Sequence, residues 1–147
     1  MIISFLVKQE SDPYRIILAD DHTLVRQGIR GILEKKCDLK VVGEACDGME
    51  LLNLLKICKE SPHMVVLDIS MPNLSGIEAT RRIKEMFPGI KVLILTMHKD
   101  KEYLDHAIRA GADGYILKED TNKVLFSAIE SIRQGGQYVS PLIPWRK

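Results

Sequence analysis

Short apolar runs rich in β-branched residues alternate from Arg15 onward with longer segments whose apolar residues recur at helical spacing. The runs are Ile16-Ile17-Leu18-Ala19, Val41-Val42, Met64-Val65-Val66-Leu67, Val92-Leu93-Ile94-Leu95 and Tyr115-Ile116-Leu117. Their length and composition predict five strands. Runs without polar alternation must be buried on both faces, and a parallel sheet between two layers of helices provides that. Right-handed crossovers then give a doubly wound five-stranded parallel α/β domain.

The intervening segments carry the matching helical faces. Leu24, Val25, Gly28, Ile29, Ile32 and Leu33 share one face, and Leu51, Leu52, Leu55 and Cys58 another. Ile77, Thr80, Ile83 and Phe87 form a third, Leu104, Ala107, Ile108 and Gly111 a fourth, and Leu125, Ala128, Ile129 and Ile132 a fifth. A chain of 147 residues suits one such domain with a short appendage. Residues 1–13 read as an extension before it, Gly135-Gly136 as the last helix stop, and 137–147 as the start of a linker or a tail. The apolar Ile2 to Val7 is too short to span a membrane and has no basic segment before it.

Composition removes several classes of function. Lys and Arg number 21 against 20 Asp and Glu, so the net charge of +1 offers no basic footprint for nucleic acid. Cys37, Cys46 and Cys58 form no CxxC pair and stand at no zinc spacing from His22, His63, His98 or His106. They read as reduced, semi-buried thiols of a cytosolic protein.

In open α/β sheets, ligands bind beyond the carboxyl ends of the strands. Four of the five runs end in a polar group there: Asp20-Asp21, Asp68, Thr96 and Lys118. The second ends in Glu44-Ala45-Cys46, which has no evident chemistry and suits an edge. Converging carboxylates repel one another unless a cation or a lysine neutralises them. All the available ligands are hard oxygens, which select Mg²⁺, and Mg²⁺ held by one or two carboxylates completes its shell with water and phosphate oxygens. A carboxylate so placed can attack phosphorus in line and become an acyl phosphate. Asp68, at the end of the central strand, is the preferred nucleophile, with Asp20 and Asp21 toward the metal. Lys118 serves as a point charge and the Thr96 hydroxyl as a hydrogen-bond donor to the phosphoryl oxygens. Singly, such an Asp is more often a helix cap, and Asp21 or Thr23 could cap the first helix. Four successive strand ends make the chemical reading the stronger one.

These residues resemble a known family. Asp20-Asp21-His22, Asp68-Ile69-Ser70-Met71-Pro72 with Gly76, Leu95-Thr96-Met97, and Tyr115-Ile116-Leu117-Lys118 are similar in order and spacing to the receiver domain of bacterial two-component response regulators. The resemblance covers residues 14–136. It implies a flavodoxin-like (βα)5 fold with strand order 2-1-3-4-5. It also implies that Asp68 accepts a phosphoryl group from a sensor histidine kinase, with Mg²⁺ held by Asp21, Asp68 and the backbone carbonyl of Ser70, and Asp20 acting through water. Asp21 to Gly28 and Gly135 to Pro141 look like the NarL/LuxR-type transcriptional regulators, in which a helix-turn-helix domain follows. DNA would then be bound only through that further domain, and the location would be cytoplasmic. A second copy of the chain is a further candidate partner after phosphorylation.

The resemblance also assigns secondary roles. Tyr115 matches the aromatic switch that turns inward as Thr96 moves toward the phosphoryl group, or else it is an amphipathic surface tyrosine. Ser70, Met97 and His98 occupy positions that in receivers modulate hydrolysis of the acyl phosphate. Pro72 and Gly76 suit a tight loop, while Lys99 to Glu102 and Lys118 to Asp120 suit solvated loop faces. A hydrolase of the haloacid dehalogenase type wants an acid where Ser70 stands, and a cobalamin module wants Gly where Val25 stands. A pseudo-receiver, acting by binding alone, is the remaining alternative, although such domains usually lose part of the acid pocket or the lysine.

Overall fold

The computed structural model describes residues 12–144, so most of the expected N-terminal extension and the last three residues of the expected tail lie outside the described residues. The strands are β1 (Tyr14–Ala19), β2 (Leu39–Ala45), β3 (Met64–Leu67), β4 (Lys91–Thr96), β5 (Gly114–Leu117) and β6 (Tyr138–Val139). Between them lie α1 (Thr23–Leu33), α2 (Gly48–Ile57), α3 (Gly76–Met86), α4 (Lys101–Ala110) and α5 (Thr121–Arg133). All strand pairs are parallel, in the order β2-β1-β3-β4-β5-β6. The order 2-1-3-4-5 holds, with a sixth strand added beside β5.

Alternation along each strand sends side chains into two separate cores. Ile17, Val65, Leu67, Val92, Ile94, Tyr115 and Leu117 meet α2, α3 and α4 on one face. Ile16, Leu18, Val66, Leu93, Leu95 and Ile116 meet α1 and α5 on the other. Each buried Leu or Ile contributes roughly 1.5–3 kcal/mol, which fixes the register and therefore aligns the strand ends. Edge strand β2 alternates buried and exposed residues at its start, and Val42 lies on the open side.

Several local features differ from the sequence pattern. Leu24, on the expected face of α1, is 82% exposed, and that helix buries Ile29 and Leu33. The N-cap of α1 is His22, rather than Asp21 or Thr23, and its side chain makes no capping bond. Asp47 and Ser75 do cap, each accepting from the backbone N–H three residues on. Cys37 and Cys46 are exposed rather than semi-buried, because they sit in the turns after α1 and β2. The chain reverses at Gly135, where φ is 91°, and remains packed beyond Gly136. There β6 joins the sheet, Ile143 enters the core, and Ser140 Oγ donates to Asp120.

Candidate functional site

Register places the acids. Ala19 pairs with Leu67, so the next residues, Asp20 and Asp68, emerge side by side at the carboxyl edge. The backbone continues the ladder through them, as Asp68 N–H donates to the Ala19 carbonyl and Asp20 N–H to that of Ala45. Both carboxylates are buried, while Asp21, one residue further, opens to solvent. Lys118 leaves the end of β5, and its flexible stem carries the ammonium back across the end of β4 to the two acids. Nζ donates to Asp20 Oδ2 at 3.0 Å and to Asp68 Oδ2 at 3.1 Å.

One lysine between two carboxylates sets the electrostatics. Burial pushes the Asp68 carboxyl up, Lys118 pulls it down without cancelling that rise, and Asp20 adds to it. Burial opposes the charge of Lys118, but hydrogen bonds and attraction from both acids outweigh it and raise its pKa. In formal charge, the three carboxylates of Asp20, Asp21 and Asp68 face the single ammonium of Lys118.

Asp20 has both oxygens engaged. Oδ2 faces Lys118, and Oδ1 accepts from the His22 backbone N–H at 2.9 Å with the His22 Nδ1 at 3.1 Å. Asp20, Asp21, His22 and Asp68 each offer a ligand atom, all within 4.8 Å of one another. The donors include three carboxylates, two buried (Asp20 and Asp68) and one exposed (Asp21), which fits a hard divalent cation such as Mg²⁺.

Thr96 ends β4 fully buried, with its Oγ1 accepting from the His98 backbone N–H at 3.1 Å. Tyr115 is buried with 0% exposure, not on the surface, and its hydroxyl donates to the His98 carbonyl at 2.9 Å. Burial pushes its phenol well above the usual range. Ser70 Oγ lies 3.1 Å from His98 Nε2, and the His98 ring stacks on Tyr103 at 4.2 Å between centroids. Met97 is 76% exposed.

Four further residues shape the site. Arg26 Nη1 donates to the Asp20 carbonyl and its Nε to Glu44 Oε1 at 2.8 Å. Glu44, at the strand end that lacked evident chemistry, is held by Arg26 and Arg30 and lies below the usual carboxylate range. Gly76 brings the start of α3 onto the end of β3, with its N–H donating to the Ile69 carbonyl. Asp120 is buried against Ser140 rather than solvated, although Lys99 and Glu119 do pair in the open. Only Gly76 carried a signal, its position eight residues after Asp68; the others depend on contacts between distant segments.

Residues 16–130 match the family model for the response regulator receiver domain. The oxygen regulatory protein NreC of Staphylococcus carnosus is 44% identical over 128 residues, covering 86% of this chain and 58% of the relative. A solved two-component response regulator of the LuxR family from Aurantimonas has 38% identity and a TM-score of 0.82, covering 88% of this chain and 91% of that one. The signal receiver domain of the response regulator NarL from Mycobacterium tuberculosis has 29% identity and a TM-score of 0.79, covering 85% and 99%. The chain spans about half the length of the curated relatives it matches.

Proposed function

The chain belongs to the response regulator receiver domain family, within the NarL/LuxR type, and from that premise we propose that Asp68 accepts a phosphoryl group from a sensor histidine kinase. The observation that carries the proposal is the contact of one ammonium, Lys118, with two buried acids, Asp20 and Asp68. An Asp68 oxygen forms the new bond to phosphorus while the bond to the donor's imidazole nitrogen, or to the acetate oxygen of acetyl phosphate, breaks. The leaving group keeps the bonding pair.

Lys118 would then move its charge from the carboxylates toward the phosphoryl oxygens, and the Thr96 hydroxyl would donate to another of them. Bound Mg²⁺ would neutralise charge on the transferring oxygens, and the residues that would hold it are Asp21, Asp68 and the Ser70 carbonyl, with Asp20 through water. Ser70, Met97 and His98, which follow β3 and β4, would set the lifetime of the acyl phosphate.

Phosphorylation adds about two negative charges at this edge, and it shifts a conformational equilibrium only through contacts that differ between states. Thr96 and Tyr115 both bond to His98, so a move of Thr96 would be felt along the loop that enters α4. Through the α4, β5 and α5 surface this would regulate a DNA-binding domain or a homodimer, in a cytoplasmic signalling pathway. No helix among the described residues is long and apolar enough to cross a membrane. The complete set of acids, Thr96 and Lys118 weighs against a pseudo-receiver.

The test is the intact mass after incubation with Mg²⁺ and acetyl phosphate. One phosphoryl adduct is expected, absent with EDTA and absent in Asp68→Asn. Full labelling of Asp68→Asn would overturn the assignment.

A further inference from the structure

The imidazole of His22 stands where a metal ligand would stand. Its residue is the N-cap of α1, but the ring forgoes the helix and turns toward the acids. Nδ1 lies 3.1 Å from Asp20 Oδ1 and 3.1 Å from Asp21 Oδ1. Adjacent donors of an octahedron with bonds of about 2.1 Å are separated by about 3.0 Å, so the spacing to Asp21 Oδ1, the acid assigned to the metal, matches such an edge. The ring is more than half exposed, which leaves it free to reorient by the small amount that coordination requires.

We propose that His22 is a nitrogen ligand of the cation site and biases it toward metals later in the first transition row. The inference rests on the reading of the acidic pocket as a cation site. Carboxylates, carbonyls and water suit Mg²⁺, whereas an imidazole favours ions such as Ni²⁺ and Co²⁺ over it. With Nδ1 on the metal, Nε2 carries the ring proton. Asp20 Oδ1, released from the ring, keeps the His22 backbone N–H at 2.9 Å as its donor.

The competing role for the same distances is a hydrogen-bonded bridge between two acids, and metal affinities separate the two. Untagged chain and His22→Gln, which retains the backbone donor, are titrated with Ni²⁺ and with Mg²⁺, and Mn²⁺ complexes are recorded by pulsed electron paramagnetic resonance. Coordination predicts that the ratio of Ni²⁺ to Mg²⁺ affinity falls at least about tenfold in His22→Gln. It also predicts ¹⁴N coupling to Mn²⁺ in the parent that disappears in the variant. A ratio unchanged within about twofold, or no ¹⁴N coupling in the parent, overturns the proposal. Labelling of the parent by Mg²⁺ and acetyl phosphate, run alongside, tells the two failures apart. If labelling proceeds without ¹⁴N coupling, His22 is only a bridge and the phosphoacceptor assignment survives. If the parent neither binds Mg²⁺ nor is labelled, both readings fall together.

Discussion

Gly76 presses its bare α-carbon against the main chain of Asp68: a β-carbon added to Gly76 would lie 2.0 Å from the Asp68 carbonyl oxygen. No rotamer change relieves such a contact, because the obstacle is backbone. Helix preference favours alanine over glycine by up to about 1 kcal/mol, while forced overpacking costs about 1–3 kcal/mol. The clash wins. Gly76→Ala should lower the urea midpoint by an amount equivalent to at least about 1 kcal/mol and slow labelling of Asp68. An unchanged midpoint would show that the β3–α3 junction yields freely.

Lys118 is the ammonium that compensates two buried acids. Removing one partner of a buried ion pair typically costs 3–5 kcal/mol. Here Asp68, already raised by burial, can escape by taking a proton, at about 1.4 kcal/mol for each pH unit between its pKa and the medium. Lys118→Met should therefore lose stability at neutral pH in the absence of divalent cations, by less than the full roughly 3–5 kcal/mol, and Mg²⁺ should restore part of it. Denaturant unfolding with and without Mg²⁺ measures both effects. A variant as stable as the parent would contradict the compensating role.

The strand ends are legible in the sequence because a period of apolar residues stops there and a polar residue begins, which is a local pattern. Asp20, Asp68, Thr96 and Lys118 stand out for that reason. What stays hidden depends on segments distant along the chain. Asp120 looks like a loop acid until Ser140, twenty residues on, folds back over it. Arg26 looks like an exposed helical residue until Glu44 and the Asp20 carbonyl receive it. The pair Tyr138-Val139 is too short for any period, and only the open edge of β5 makes it a strand. Leu24 fits the apolar face of α1 by spacing, yet it lies at the first turn, beyond the reach of the sheet.

At the opposite end of the sheet, His63 gives a pH dependence unconnected with the acids. Its Nδ1 accepts from the Arg15 backbone N–H at 2.8 Å, and its ring stacks on Tyr14 at 4.7 Å. Burial, then repulsion from Arg15 and Arg133, lowers its pKa. The folded state thus resists a proton that the unfolded chain accepts near pH 6.5. The contribution is intact above that value and is lost as pH falls through it toward the lower folded pKa. Between pH 7.5 and 5, the urea midpoint of the parent should fall more steeply than that of His63→Asn, whose amide oxygen can accept the same bond without titrating. Parallel slopes would remove His63 from the account.

Tyr115 and His98 offer a way to separate packing from the hydroxyl. The ring fills the core between the sheet and α4, and the O–H reaches the His98 carbonyl. Phenylalanine keeps the packing and deletes the donor, leaving a half-buried carbonyl to find water. The net loss for such a bond is about 0.5–1.5 kcal/mol. Because Thr96 Oγ1 and Ser70 Oγ hold the same histidine by its N–H and its ring, the loop should loosen without unfolding. Tyr115→Phe should therefore lose about 1 kcal/mol and speed amide hydrogen exchange at residues 97–101, with the exchange of β1 and β3 unchanged relative to their new global stability. Uniform acceleration along the whole chain would mean that the hydroxyl supports the fold at large, and that the link from Tyr115 through His98 to the head of α4 is not a local one.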